Sequence, residues 1–388
     1  MSRAIAPASR PPHRDLPLRQ PWRLALSNLL QDVPRFALSA AAVALPVMLM
    51  LFLLGMRTGV LRSAVIYLDH APGSLAVMPV GVTSTGAGSG QLLSGEAVRA
   101  VAATPGVARA TPVLLTLAIP ELHGTKEVIR LVGYDAALGG GPWDLAQGRA
   151  PAADGEVVLD RVIAERHGVS VGDSFDVAGR SLTVVGLSDG TGSWIGSYAF
   201  ARKSFVESLM LAPGAASLVL VTPAAGQTTA GLAASLRAVP GVDVLPKSQL
   251  MANDQQIIAG IFDQVILLMV AAAFIVGALV IGMVIYTETT ERRGEYGILK
   301  AIGARNGLLY RVVAAQALVA AGAGAALGVG LAFAAGRLVV TVKPQFLVAI
   351  GPPAIVITLL AGLAMALAGA LLPARAVAGL PPADVFRR

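Results

Sequence analysis

The chain of 388 residues contains no cysteine. Disulfides and thiolate metal sites are therefore closed to it, and any exported part must be held together by its own apolar core. Aromatic residues make up 5% of the chain and charged residues 14%, against 55% hydrophobic, a balance that points to a membrane protein. No Gly-Lys dipeptide occurs. Without it a GxxxxGK[ST] loop cannot cradle nucleotide phosphates, so ATP hydrolysis is not expected in this chain. His13, His70, His123 and His167 stand far apart in sequence and read as surface or loop residues, so no metal or cofactor site is expected. A Ser/His/Asp site can assemble in space from any spacing, but no nucleophile elbow is expected, and enzyme is the weaker class.

Charge is missing altogether from four apolar blocks: Phe36 to Met56, Val265 to Tyr286, Val312 to Gly336 and Leu347 to Leu372. Each can cross a hydrocarbon layer, which takes roughly 20 helical residues. Ion-coupled carriers keep ionisable groups at membrane depth because those groups carry the coupling. Here only Asp263 and Arg311 come near the ends of the blocks, and both read as interfacial.

The net charge of +7 is unevenly spread. Arg3, Arg10, Arg14, Arg19, Arg23 and Arg35 precede the first block, Arg375, Arg387 and Arg388 follow the last, and the segment between the second and third is also basic. The long segment after the first block is slightly acidic. Positive charge in short flanking segments marks the cytoplasmic side, so basicity here reports topology and not a nucleic-acid partner. The expected order is a cytoplasmic N-terminus over 1–35, spans over 36–57 and 256–287 around an extracytoplasmic domain over 58–255, a cytoplasmic segment over 288–311, spans over 312–336 and 347–372, and a cytoplasmic tail over 373–388. On this layout positions such as Ser89 and Ser193 are exposed outside and Ala304 inside. The first block reads as an uncleaved anchor, since its basic lead and apolar run are both longer than a signal peptide's. Before it, Trp22, Leu26, Leu29, Leu30 and Val33 recur at helical spacing, as a helix lying in the membrane interface would.

In the outer segment, Ser74 to Gly81 reads as a strand and Val98 to Leu115 as a helix that turns at Pro105-Gly106 into a second strand. Ala216 to Pro223 and Leu236 to Pro246 repeat that order. Two such units predict a split βαβ, ferredoxin-like layer. LLTLAIP and EVIRLVGYD can pair as a hairpin, and a small β-rich insertion is expected over about 134–205. Gly81 to Gln91, rich in Gly, Ser and Thr, reads as a flexible loop. In the third block Gly324 and Gly328 form a GxxxG, which allows close helix approach either across a dimer seam or within one subunit.

Between the second and third blocks lies ETTERRGEYGILKAIGARNGLLYR, Glu288 to Arg311. Ile298, Leu299 and Ile302 form one apolar face of a short helix with Lys300 elsewhere, and Gly303 suits its end. Such a face rests on the membrane surface or docks in a partner's groove. The run Glu291-Arg292-Arg293-Gly294-Glu295-Tyr296-Gly297-Ile298-Leu299-Lys300-Ala301-Ile302-Gly303-Ala304 resembles the signature after the second transmembrane helix of FtsX/MacB-type ABC transporter permeases. Pro373-Ala374-Arg375-Ala376 and Pro382-Ala383-Asp384 are similar to the family's ending, and Asn28-Leu29-Leu30 to its N-terminal helix. Tyr296 stands where Ile is usual, and Gln316 where relatives often have Glu in the third span.

The resemblance implies a type VII permease, DevC-like and without a fused ATPase: an α-helical membrane protein with four spans and an α+β extracytoplasmic domain, working as a homodimer. It implies docking of Glu291, Arg292, Glu295, Gly297, Ile298, Leu299, Lys300, Ile302, Gly303 and Ala304 on a cytosolic ABC ATPase subunit, which binds the ATP and Mg. An extracytoplasmic partner such as a membrane-fusion protein and a hydrophobic or amphipathic substrate fit that role. The alternative is an FtsX-like transducer that activates an extracytoplasmic enzyme and moves no solute.

Overall fold

The structure, a computed structural model, describes residues 33–86, 90–193, 196–291, 294, 297–298, 306–343 and 346–378. Among them, four helices are long and apolar enough to cross a membrane. The chain divides into two compact units. One joins Phe52–Met269 to Ala334–Gly351, and the other joins the N-terminal part to Val270–Phe333 and the chain from Pro352.

In the first unit, α1 (Val33–His70) climbs out of the apolar block and leads into β1 (Leu75–Pro79), which α2 (Gly95–Ala103) connects to β2 (Val107–Ala118). The Ser94 side chain accepts from the Ala97 N–H and starts α2, and Gly106 at φ 93 makes the turn into β2. The second repeat is β11 (Leu218–Pro223), α5 (Thr229–Leu236) and β12 (Val242–Pro246). The four strands lie in the order β12-β1-β11-β2, antiparallel throughout, which is the split βαβ arrangement. Every side chain of β1 is buried because both faces are covered. Leu75 and Val77 pack with Val101 and Leu232 of the helices on one side. Ala76 and Met78 pack with Tyr67 and Leu68 of α1 on the other.

The β-rich insertion is not a separate body. Twelve-residue β2 pairs with β11 along its first half and with β5 (Ile129–Tyr134) along its second, so the sheet simply continues. Beyond β5 come β10 (Ser197–Arg202), β7 (Glu156–Asp160), β9 (Arg180–Ser188) and β6 (Leu145–Gly148), with β8 (Ser174–Val177) paired to β9, giving ten strands in all. Short β3 (Glu121–Leu122) and β4 (Thr125–Lys126) form the tip of the β2–β5 hairpin. Helix α3 (Arg161–His167) follows β7, and its N-terminal amides are capped by the buried Asp160 carboxylate. Helix α4 (Lys203–Leu209) packs on β5 and β10.

Three features add to the sequence reading. Helix α1 does not stop near Arg57. Val60, Ala64 and Val65 keep an apolar face beyond the span and bury it against Ile258 of α6 (Lys247–Glu291), which likewise starts well before residue 256. The chain between the last two helices, α7 (Asn306–Val342) and α8 (Pro352–Ala378), belongs to this unit too: Ala349 N–H donates to the Gly55 carbonyl at 3.0 Å. That approach needs glycine at the next turn, since a Cβ on Gly59 would sit 1.6 Å from the Leu347 carbonyl oxygen. Finally, the loop after β1 is tied down over its first half. Asp254, 4% exposed, accepts from Ser84 Oγ at 2.6 Å and Thr85 N–H at 2.8 Å, and Asn253 donates to the Thr83 carbonyl. A buried carboxylate is stable only with such donors, so it fixes the loop.

In the second unit the apolar helices meet through glycines. Cβ atoms on Gly324 and Gly328 of α7 would lie 2.5 and 2.7 Å from the Ala40 and Ala44 carbonyl oxygens of α1. A Cβ on Gly277 of α6 would lie 2.6 Å from Pro46, and one on Gly369 of α8 would come 2.9 Å from the Gly282 nitrogen. With lipid on the far side no hydrophobic force drives helices together, so close backbone approach supplies the dispersion that does.

Candidate functional site

The site suggested by sequence begins where α6 ends. Glu288 and Glu291 are three residues apart and share a helix face, and Arg35 and Ser39 are spaced by four on α1. The two helices run in opposite directions here, so the pairs meet as rungs. Ser39 Oγ donates to the Glu288 carboxylate, and Arg35 lies 3.2 Å from Glu291 with both side chains about half exposed. A small cavity of about 20 Å³ adjoins the first rung, lined by Ser39, Glu288, Thr289 and Gln316 among apolar side chains of α1, α6 and α7. That volume is about one water molecule's worth. Gln316 thus faces the site with an amide that stays neutral at any pH, where a carboxylate would titrate.

Past Glu291, Gly297 is buried and Ile298 is 54% exposed. The remaining residues of the expected docking face, Arg292, Glu295, Leu299, Lys300, Ile302, Gly303 and Ala304, lie outside the described residues, as does the expected interfacial helix before Val33. Gly324 and Gly328, open between a dimer seam and packing within one subunit, face α1 of the same chain.

Spatial neighbours that sequence spacing hides also appear. Asp263 takes Arg57 in a two-pronged bond, Nε to Oδ1 at 2.7 Å and Nη2 to Oδ2 at 2.6 Å, fastening α6 to α1 just beyond the apolar blocks. His123 Nδ1 lies 2.8 Å from the His167 carbonyl, and His167 Nε2 lies 2.8 Å from Glu127. These two histidines are neighbours in space, yet among the described residues no three His, Cys, Asp or Glu side chains gather as a metal site. Gly186-Leu187-Ser188-Asp189-Gly190 does carry the glycine spacing of a nucleophile elbow, contrary to expectation. Ser188 nevertheless ends strand β9 fully buried, with its hydroxyl 2.7 Å from Thr191 Oγ1, and a second strand, not a helix, follows.

The domain also bears a cleft of about 550 Å³, lined by Tyr134, Asp135, Arg202, Lys203, Ser204 and Glu207 among others. Its charges are largely answered internally. Lys203 pairs with Glu207, and Arg202 donates to the Ala152 carbonyl at 2.9 Å.

Comparison with known proteins agrees with this layout. Residues 267–382 match the family model "FtsX-like permease C-terminal", and residues 36–239 match "MacB-like periplasmic core domain". The macrolide export ATP-binding/permease proteins MacB 1 of Yersinia pestis bv. Antiqua (strain Antiqua) and MacB 1 of Yersinia pseudotuberculosis serotype I are each 32% identical over 126 residues, 32% of this chain. The chain covers 19% of the length of these relatives. Among solved structures, the periplasmic region of MacB from Actinobacillus actinomycetemcomitans aligns over 47% of this chain and 93% of its own, at 13% identity and a TM-score of 0.37. The extracellular domain of the ABC-type transporter YknZ from Gram-positive bacteria aligns over 44% of this chain and 98% of its own, at 14% identity and a TM-score of 0.35.

Proposed function

The chain belongs to the FtsX/MacB-type permease family, and on that premise we propose that it is the membrane subunit through which a separate cytosolic ABC ATPase moves an extracytoplasmic α/β domain. The work done is export or extraction of a hydrophobic or amphipathic substrate. ATP and Mg bind in the partner, since this chain has no phosphate loop of the GxxxxGK[ST] kind. The observation that carries the reading is the position of Glu288 to Arg311. It follows directly on α6, one continuous 45-residue helix that takes up the chain from strand β12 at Lys247 and ends at Glu291. A displacement applied at the inner end of one continuous helix is felt at its outer end, because a helix is stiff along its axis.

Docking would use the exposed Ile298 together with Leu299 and Ile302 as its apolar anchor. The charges of Arg292, Glu295 and Lys300 would fix its orientation. The test is copurification with the ATPase. Ile298→Asp with Ile302→Asp should leave the chain inserted but cut recovery of the complex at least tenfold, about 1.4 kcal/mol in affinity. Unchanged recovery with full ATP-driven activity would overturn the docking role. If the complex works but moves no solute, and instead switches on an extracytoplasmic enzyme, the transducer role replaces transport.

A further inference from the structure

Strand β2 carries apolar residues at every second position on one face: Val113, Leu115, Leu117 and Ile119 just past its end. At its upper part this face is covered. Val113 is buried with Val132, Tyr198 and Phe200 against Tyr67 and Leu68 of α1, and Leu115 packs at the edge of that core. Lower down the cover ends while the apolar pattern goes on. Leu117 is 65% and Ile119 63% exposed, and Val128, opposite Ile119 when the Ala118↔Ile129 register is carried one residue further, is 42% exposed. The other face of the same hairpin, with Leu114, Ala118, Ile129 and Leu131, is core. On the open face Ile119 and Val128 form an exposed apolar band between Arg130, which lies opposite Leu117 and over the Tyr198 ring, and the charged pair Glu121 and Lys126 at the tip, an arrangement of apolar and charged side chains that suits a membrane interface.

Three contacts show which way the open end points. Ser193 Oγ donates to the Ser63 carbonyl, the rings of Tyr198 and Tyr67 stack 5.5 Å apart, and His70 stacks on Trp143, whose ring meets Phe200 at 5.9 Å. Climbing α1 from Ser63 to His70 is therefore climbing β10 from its entry towards Phe200. Strand β5 runs parallel to β10, so Ile129 and Val128 are at the low end, with Ile119 beside them.

The helix also sets the scale. Arg57, the first charge after the apolar run of α1 and bonded to Asp263, marks the edge of the hydrocarbon. Tyr67 is ten residues further, about 15 Å higher at the helical rise. Arg130 lies opposite Tyr198 in register, and Val128 two residues lower by about 7 Å. Ile119 and Val128 thus stand about 8 Å above the hydrocarbon edge, at the outer margin of a headgroup layer that is itself about 5–8 Å deep, whereas Leu117, opposite Arg130, stands about 7 Å higher and clear of it.

We infer that the lower end of the open face of the β2–β5 hairpin, Ile119 and Val128, is a lipid-contact surface, seated at the headgroup margin of the leaflet from which the domain rises. Such a contact requires only that α1 crosses the membrane, whichever side the domain occupies and whether or not Glu288 to Arg311 docks an ATPase. Resting one end of the sheet on the bilayer gives the domain a second foothold beside its helices and brings its base against lipid or amphipathic molecules in that leaflet.

The chain has no native cysteine, so single cysteines can be read cleanly. Ile119→Cys, Val128→Cys and, as control, Ala136→Cys beyond the upper end of β5 are each labelled with a small fluorophore in the full-length chain. The labelled chains are reconstituted into phosphatidylcholine/phosphatidylglycerol vesicles. A nitroxide carried on lipid near the headgroup should quench positions 119 and 128 several-fold more than 136, and aqueous iodide should show the reverse order. Equal quenching of all three by both agents would mean that the patch faces water. Shielding of 119 and 128 from both agents, with cross-linking between copies, would mean that a second copy covers it. Either result overturns the inference.

Discussion

At the scale of single residues, function and stability rest on a few charged groups placed where charge costs most. Asp254 survives burial only because Ser84 and Thr85 turn their donors to it. Asp160 is buried as well, and burial raises its carboxyl above the ordinary range against the pull of its bonds to Thr191 and the α3 amides. Glu156 is the opposite case. Arg149's guanidinium, aided by the Ala152 and Ala153 N–H groups, holds its carboxyl down to about 2 from an ordinary 4.5. A depressed carboxyl contributes stability that is whole above the ordinary value and is lost as pH falls towards the folded one. Glu156→Gln should therefore lower stability at neutral pH and flatten the loss between pH 4.5 and about 2. Denaturant midpoints followed by tryptophan fluorescence would check this, and parallel acid arms in the two proteins would contradict it.

At the scale of elements, α7 carries glycines with two different roles. Gly324 and Gly328 lie against α1 backbone, whereas Gly322 and Gly330 meet nothing within 4 Å. Gly328→Leu should lower the thermal midpoint in detergent, since overpacking costs about 1–3 kcal/mol or more, while Gly330→Leu should leave it unchanged. A reversed ranking would mean that α7 packs with its other face inward. Helices α1 and α6 show why such packing is tight near the membrane edge. Each carries one partly buried charge there, Arg57 and Asp263, and only their two-pronged bond offsets the desolvation of both.

At the scale of the whole molecule, the proposed orientation is tested by labelling. Ser193, expected from sequence to be exposed outside, is 5% exposed and bonded to α1, so it makes a poor reporter. Ser235, exposed on α5, serves instead. With Ser235→Cys, a membrane-impermeant maleimide should react in intact cells, and with Ala304→Cys it should react only after lysis. Labelling of Ala304→Cys alone would invert the orientation.

The four apolar spans, the repeated strand-helix-strand units and the permease-like segment at Glu288 to Arg311 could all be read from the chain. Each depends on periodicity, composition or contiguous residues, which sequence carries directly. Sequence also narrowed Gly324 and Gly328 to close helix contacts. Which helix they touch, and that His123 meets His167, were decided only in three dimensions. So were the fusion of both β layers through β2, the clamps of Asp254 on Ser84 and of Asp263 on Arg57, and the descent of Ile119 and Val128 towards the membrane. Residues 170 or more positions apart share no periodic signal. Their meeting is set by strand order and helix length, quantities that exist only once the sheet has formed.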